Sequence, residues 1–129
     1  FSDVLDHHGF GLHLGLARAA VARALALDPN LPEGLLARSL IESNVDYDWK
    51  VAAATLQLAH SLAPADSAIV TALGNLASAV GDSELAIVRL CESVALDPVN
   101  PAARSYLAFA YVTTGQYEEA QAEYDRLAA

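Results

Sequence analysis

The chain has no methionine and one cysteine, Cys91, in 129 residues. A single thiol excludes an internal disulfide framework. It fits a reducing compartment, and a cytoplasmic location is expected. Basic residues are scarce, seven against 16 acidic, for a formal charge of −9. They are scattered singly, with no Lys/Arg cluster to track a phosphate backbone, so neither nucleic acid nor an anionic membrane surface is an expected partner. No apolar run approaches the ~20 residues of a membrane-spanning helix, and no signal peptide is visible. The missing initiator methionine reads as an excised segment of a longer protein, whose targeting signal could lie elsewhere.

Catalytic groupings are missing too. No nucleophile, base and acid are spaced for joint work. Cys91 falls in mid-helix beside Glu92, a charge that does not favour a thiolate. No glycine-rich phosphate loop follows a strand, because no strand pattern exists. The expectation is a non-enzymatic protein without a cofactor. Asp3, Asp6, His7, His8 and His13 crowd the start of the chain, but their spacing fits no standard ligand set. No metal site is expected there.

What remains is rich in alanine and apolar residues, 54% of the chain, which excludes disorder and favours closely approaching helices. Pro29, Pro64 and Pro98 each close a similar stretch, such as Ala24-Leu25-Ala26-Leu27-Asp28-Pro29, at intervals of 35 and 34 residues. A fixed period of this size marks stacked helical hairpins. Each unit carries two apolar-periodic stretches of helical length. The breaks between them are Gly81-Asp82 and Gly115-Gln116, glycine ending one helix and Asp82 capping the next. In the second unit the break is longer, Ser43 to Asp48. Asn100-Pro101 is a helix start with Asn as N-cap. Along the second helix of each unit, Ala17, Ala52, Ala86 and Ala120 are followed four residues later by Val21, Leu56, Leu90 and Tyr124. Ala24, Ala59, Ser93 and Leu127 come three further on. Spacings of four and three keep this stripe on one face.

These units resemble tetratricopeptide repeats. The third supplies Leu73-Gly74, Gly81, Ala86, Leu90 and Pro98; the fourth supplies Leu107-Ala108, Tyr111, Gly115, Tyr117, Ala120 and Tyr124. The second keeps Ala52, Leu56, Ala59 and Pro64, but has Arg38-Ser39 where Leu-Gly is usual. The resemblance implies an all-α, right-handed superhelical stack of antiparallel helix pairs. It forms one domain over residues 1–129, with a partial first repeat at 1–31, full repeats at 32–66 and 67–100, and a truncated last repeat at 101–129. Residues 1–13 match poorly, and Gly9, Gly11 and Gly15 are expected to interrupt a first helix.

The same resemblance implies a protein-interaction module, binding a peptide or helix on a concave face lined by the first helix of each repeat. The positions carried over include Leu36, Leu40 and Asn44, then Thr71, Asn75 and Ser78, then Ser105, Phe109 and Val112. Asn75 is present, but the Lys and Arg of the carboxylate-clamp version are not, so capture of a chaperone C-terminus is not expected. Asp46-Tyr47-Asp48-Trp49 resembles a variant found in arrays of bacterial regulators. Trp49 holds the place of Tyr117 and is expected to pack beneath the turn. The alternative function is structural: self-association into a homo-oligomer through array ends, since the last helix carries no polar capping helix.

Overall fold

A computed structural model describes the backbone of residues 2–129 and the side chains of residues 11–129. Seven helices follow one another, with no strand among the described residues: α1 (Ser2–Leu27), α2 (Pro32–Asn44), α3 (Trp49–Leu62), α4 (Ser67–Ala79), α5 (Ser83–Leu96), α6 (Pro101–Thr113) and α7 (Tyr117–Ala128). Short polar side chains start most of them. The Asp66 carboxylate accepts from the backbone N–H of Ala68 and Ile69, Asp82 from Leu85, Asp48 from Val51 and Asn100 from Ala102. Each such cap contributes about 1 kcal/mol to its helix. The helices before Pro29, Pro64 and Pro98 stop two residues short of the proline, consistent with the restriction proline puts on the residue ahead of it.

Within each repeat the turn needs one residue in the left-handed region. Gly81 (φ 87°) and Gly115 (φ 78°) fill it in the third and fourth repeats, but Tyr47 (φ 53°) fills it in the second. Tyr47 is 72% exposed, so packing contributes little to hold it there. Tyr47→Gly is expected to raise stability by about 0.5–1 kcal/mol, because relief of the left-handed strain outweighs the greater freedom glycine gives the unfolded chain. Urea denaturation of the variant checks this. Unchanged or lower stability would show that the tyrosine ring makes a compensating contact.

Helices α2/α3, α4/α5 and α6/α7 pack as pairs, each pair lies against the next, and α2, α4 and α6 stand side by side. The small–large–small stripe lies at the centre of the α2/α3 and α4/α5 pairs, whereas in α7 only its Ala120 is buried and Tyr124 is exposed. Ala52, Ala59, Ala86, Ser93, Leu56, Leu90 and Ala120 are all buried. Close approach is tightest at Gly74, where an added Cβ would sit 2.8 Å from Leu90 Cγ. Ser93 replaces an apolar residue without loss, since its hydroxyl donates to the Ser67 carbonyl at 3.0 Å and meets the Thr71 hydroxyl at 2.6 Å. The last pair is also tied by charge: Glu123, nearly buried, accepts from Arg104 at 2.8 Å and Arg126 at 2.6 Å.

The start of the chain differs from expectation. Gly9, Gly11 and Gly15 do not interrupt the first helix; α1 is one helix of 26 residues. Glycine costs a helix only about 1 kcal/mol relative to alanine, far less than proline. The leucines and alanines around Gly11 and Gly15 outweigh that penalty.

Between α5 and α6, the Tyr111 hydroxyl lies 3.6 Å from Cys91 Sγ. Burial, then the hydrogen bond to Cys91, then the charges of Cys91, Glu123 and Glu119 push the Tyr111 phenol from 10.0 up to about 12. The folded state therefore favours the neutral phenol. Its contribution is intact below pH 10 and is lost as pH rises from 10 towards about 12. Across that window the parent chain should lose stability more steeply than Tyr111→Phe, as urea midpoints at successive pH values would show. Parallel curves would contradict the assignment.

Candidate functional site: the face of α2, α4 and α6

The three first helices expose a common stripe: Leu40 and Asn44 on α2, Ser78 on α4, and Ser105, Phe109 and Val112 on α6. Asn75 is half-buried on the same face of α4. Leu36 and Thr71 are drawn inward. Leu36 packs against the cluster around Leu35, Ala52 and Leu56, and the Thr71 hydroxyl is engaged by Ser93. Leu40, Asn44 and Asn75 come together in one pocket of about 260 Å³ between α2 and α4. Ser78, Ser105, Phe109 and Val112 continue the face beyond it without lining it.

Two aromatic residues absent from the expected groove set complete the pocket: Trp49 and Tyr106. Trp49 does not pack beneath the turn. It is 41% exposed and contributes its side chain to the pocket wall. The sequence signal for this was the longer break. Four residues join α2 to α3, whereas three join α4 to α5 and α6 to α7. The Asp48 N–H accordingly reaches back to the Glu42 carbonyl, while Asp82 and Gln116 bond to Ala77 and Tyr111, one residue nearer.

The floor of the pocket is apolar, formed by Leu56, Ala72, Leu76 and Ala79, and Ser39 and Ser43 stand at its α2 side. The two serine hydroxyls are spent on the backbone of their own helix, at the Leu36 and Leu40 carbonyls. The Asn75 amide has no hydrogen-bond partner among the described residues, and Asn44 meets only the Ser43 hydroxyl, at 3.5 Å. Both amides can donate and accept. No charged side chain lines the pocket, in a chain of net charge −9.

A wider cleft of about 540 Å³ opens between α1 and α2. It exists because Arg38 and Glu42 occupy positions that Leu73 and Ala77 fill on α4, and Leu107 and Tyr111 on α6. Its charges are answered internally. Arg18 pairs with Asp46 at 2.5 Å, a contact that holds the Asp46 carboxyl below the ordinary carboxylate range. Glu42 accepts from the Thr55 hydroxyl at 2.7 Å and lies 4.0 Å from Arg38. Among the described residues no group of acidic, histidine and cysteine side chains could hold a metal ion. His13 is exposed, and the side chains of Asp3, Asp6, His7 and His8 lie outside the described residues. No described helix is long and apolar enough to cross a membrane.

Residues 79–129 match the sequence model of the tetratricopeptide repeat. No curated protein matches the chain. Among solved structures, it is similar to TTC0263, a thermophilic TPR protein of Thermus thermophilus, with 23% identity and a TM-score of 0.76. It is also similar to MamA from Desulfovibrio magneticus RS-1, with 23% identity and a TM-score of 0.75. Each alignment covers 89% of this chain and 66% of the other, so the chain spans just under two thirds of their length. SycD, the type III secretion translocator chaperone of Yersinia enterocolitica, aligns over 82% of this chain and 78% of its own, with 20% identity and a TM-score of 0.70. Residues 79–129 thus match the tetratricopeptide repeat in sequence, and the helix pairs ahead of them share the tetratricopeptide-like fold of stacked antiparallel helices.

Proposed function

We propose that the chain is a non-enzymatic protein-interaction module that holds an uncharged stretch of a partner polypeptide on the face of α2, α4 and α6. The observation that carries this reading is the uncharged pocket bounded by Leu40, Trp49 and Tyr106, with the amides of Asn44 and Asn75 at its edge. About 260 Å³ is room for one large side chain. An aromatic or large aliphatic anchor would bury most of its surface there, worth about 1.5–3 kcal/mol. The two amides favour an extended peptide over a helix, because an extended backbone has free N–H and C=O groups, whereas a helix satisfies its own. SycD, a chaperone with the same fold, supports a protein partner. Phe109, Val112, Ser105 and Ser78 would carry the peptide onward from the anchor.

A random-peptide display selection against the domain tests this. The expected winners carry one aromatic or large aliphatic residue flanked by uncharged residues, and their binding shifts the emission of Trp49, the only tryptophan in the chain. Winners dominated by charged residues, or binding silent at Trp49, would contradict it.

A further inference from the structure

The hydrogen-bonding groups left free around the α2/α4 pocket are mostly donors. Trp49 brings an indole N–H, which can only donate, and Tyr106 brings a phenol O–H. Neither has a hydrogen-bond partner among the described residues, and both rings are exposed. The Asn75 amide is unpartnered as well, and Asn44 uses its carbonyl oxygen on the Ser43 hydroxyl, which leaves its NH2 group free. A site with this excess of donors matches a polypeptide that presents carbonyls but few N–H groups. Proline is the residue that keeps its carbonyl and has no N–H.

The spacing of the helices points the same way. Leu40, Asn75 and Phe109 hold one equivalent position on α2, α4 and α6, which stand side by side. Packed neighbouring helices lie about 8–10 Å apart. A polyproline II chain has three residues per turn and rises ~3.1 Å per residue, so every third residue returns to the same edge after roughly 9 Å. A β-extended chain returns to one face after roughly 6.6 Å or roughly 13 Å, and falls out of step with the helices.

We propose that the partner segment is proline-rich and crosses α2, α4 and α6 in the polyproline II form, an inference that rests on the peptide-binding role of this face. An apolar residue enters the pocket beside Leu40. Three residues on, a backbone carbonyl accepts from the Asn75 amide, and six residues on a second apolar residue meets Phe109. The intervening prolines lie on the rings of Trp49 and Tyr106, and their carbonyls accept from the indole N–H and the phenol O–H. Proline fixes φ, so such a segment is already extended before it binds and loses little entropy on docking. It also carries no charge, in keeping with a pocket that no charged side chain lines.

Calorimetric titration of the 129-residue chain with three blocked synthetic peptides tests the proposal. The first is polyproline with two leucines six residues apart, the second is polyproline with the leucines four apart, and the third sets leucines six apart in a glycine–serine background. The first should bind at least ~10-fold more tightly than either of the others. Trp49→Phe and Tyr106→Phe keep a ring and remove a donor, and each should weaken that binding by about three- to tenfold. Unchanged helical circular dichroism confirms that both variants fold. Equal affinity for the three peptides, preference for the glycine–serine one, or unchanged affinity in both variants would overturn the polyproline II form. Binding of a display-selected peptide that lacks proline, with all three synthetic peptides silent, would overturn it too and leave the peptide-binding role standing. Failure of every peptide, selected ones included, would overturn both.

Discussion

Replacing Leu90 with alanine is expected to lower the unfolding free energy by about 3 kcal/mol, within the range for a fully buried leucine. Leu90 is 1% exposed. It sits where α5 presses on Gly74 of α4, and it also belongs to the cluster formed with Leu107 and Ala110 of α6. One side chain therefore fills space between three helices in two repeats. Gly74 has no side chain to collapse into the vacancy. Stability in such arrays comes largely from neighbouring repeats, so the loss at Leu90 is felt on both sides. Leu85→Ala, on the exposed face of the same helix, should change stability by no more than about 0.5 kcal/mol. Urea denaturation of the pair measures both. A Leu90→Ala loss below about 1 kcal/mol would mean the α4–α5 seam is not the close packing described.

The largest effect on binding is expected from charge placed on the α2/α4/α6 face. Leu40→Glu puts a carboxylate on the wall of a pocket that has no cation to receive it. Phe109→Glu does the same further along, where the ring is 63% exposed. Each should reduce affinity for a display-selected peptide by at least ~100-fold, about 2.7 kcal/mol. Part of that is the lost apolar contact and part is desolvation of the new charge. Neither side chain belongs to the buried core, so both variants should unfold within about 1 kcal/mol of the parent chain. Asn75→Ala separates the two components of recognition: a tenfold loss would show that a backbone is being read, and no loss would leave the apolar anchor acting alone. Undiminished affinity in both glutamate variants would remove this face as the binding surface.

Much of this architecture is legible in the amino-acid order because it repeats. Proline at intervals of 35 and 34 residues, Asp or Asn ahead of α3, α4, α5 and α6, and glycine at two of the three turns are local signals of chain direction. The stripe headed by Ala52, Ala86 and Ala120 marks which faces must meet. Glycine near the start of the chain misled for a definite reason: it weakens a helix without stopping it, and α1 has enough leucine and alanine to continue. The pocket was only half legible. Leu40, Asn44 and Asn75 are among the positions that the resemblance to tetratricopeptide repeats implies, but Thr71 and Leu36 turn inward because their partners, Ser93 and the Leu35 cluster, come from other segments. Trp49 enters the wall through a turn one residue longer than its counterparts, a matter of backbone path that side-chain pattern does not encode. Arg38 was visible as the residue out of place in its repeat. Its consequence, the cleft against α1, depends on what Leu73 and Leu107 do in their own repeats.

The measurement that bears most directly on the function is the footprint of a selected peptide, read as amide chemical-shift changes on the labelled chain. Perturbed amides should cluster at Leu40, Asn44, Trp49, Asn75 and Phe109, with Ala54 and Leu58 on the other side of α3 and the outer face of α7 unchanged. Perturbations confined to Val51–Leu58 or to α7, with the α2/α4/α6 face silent, would contradict a peptide-binding role for that face.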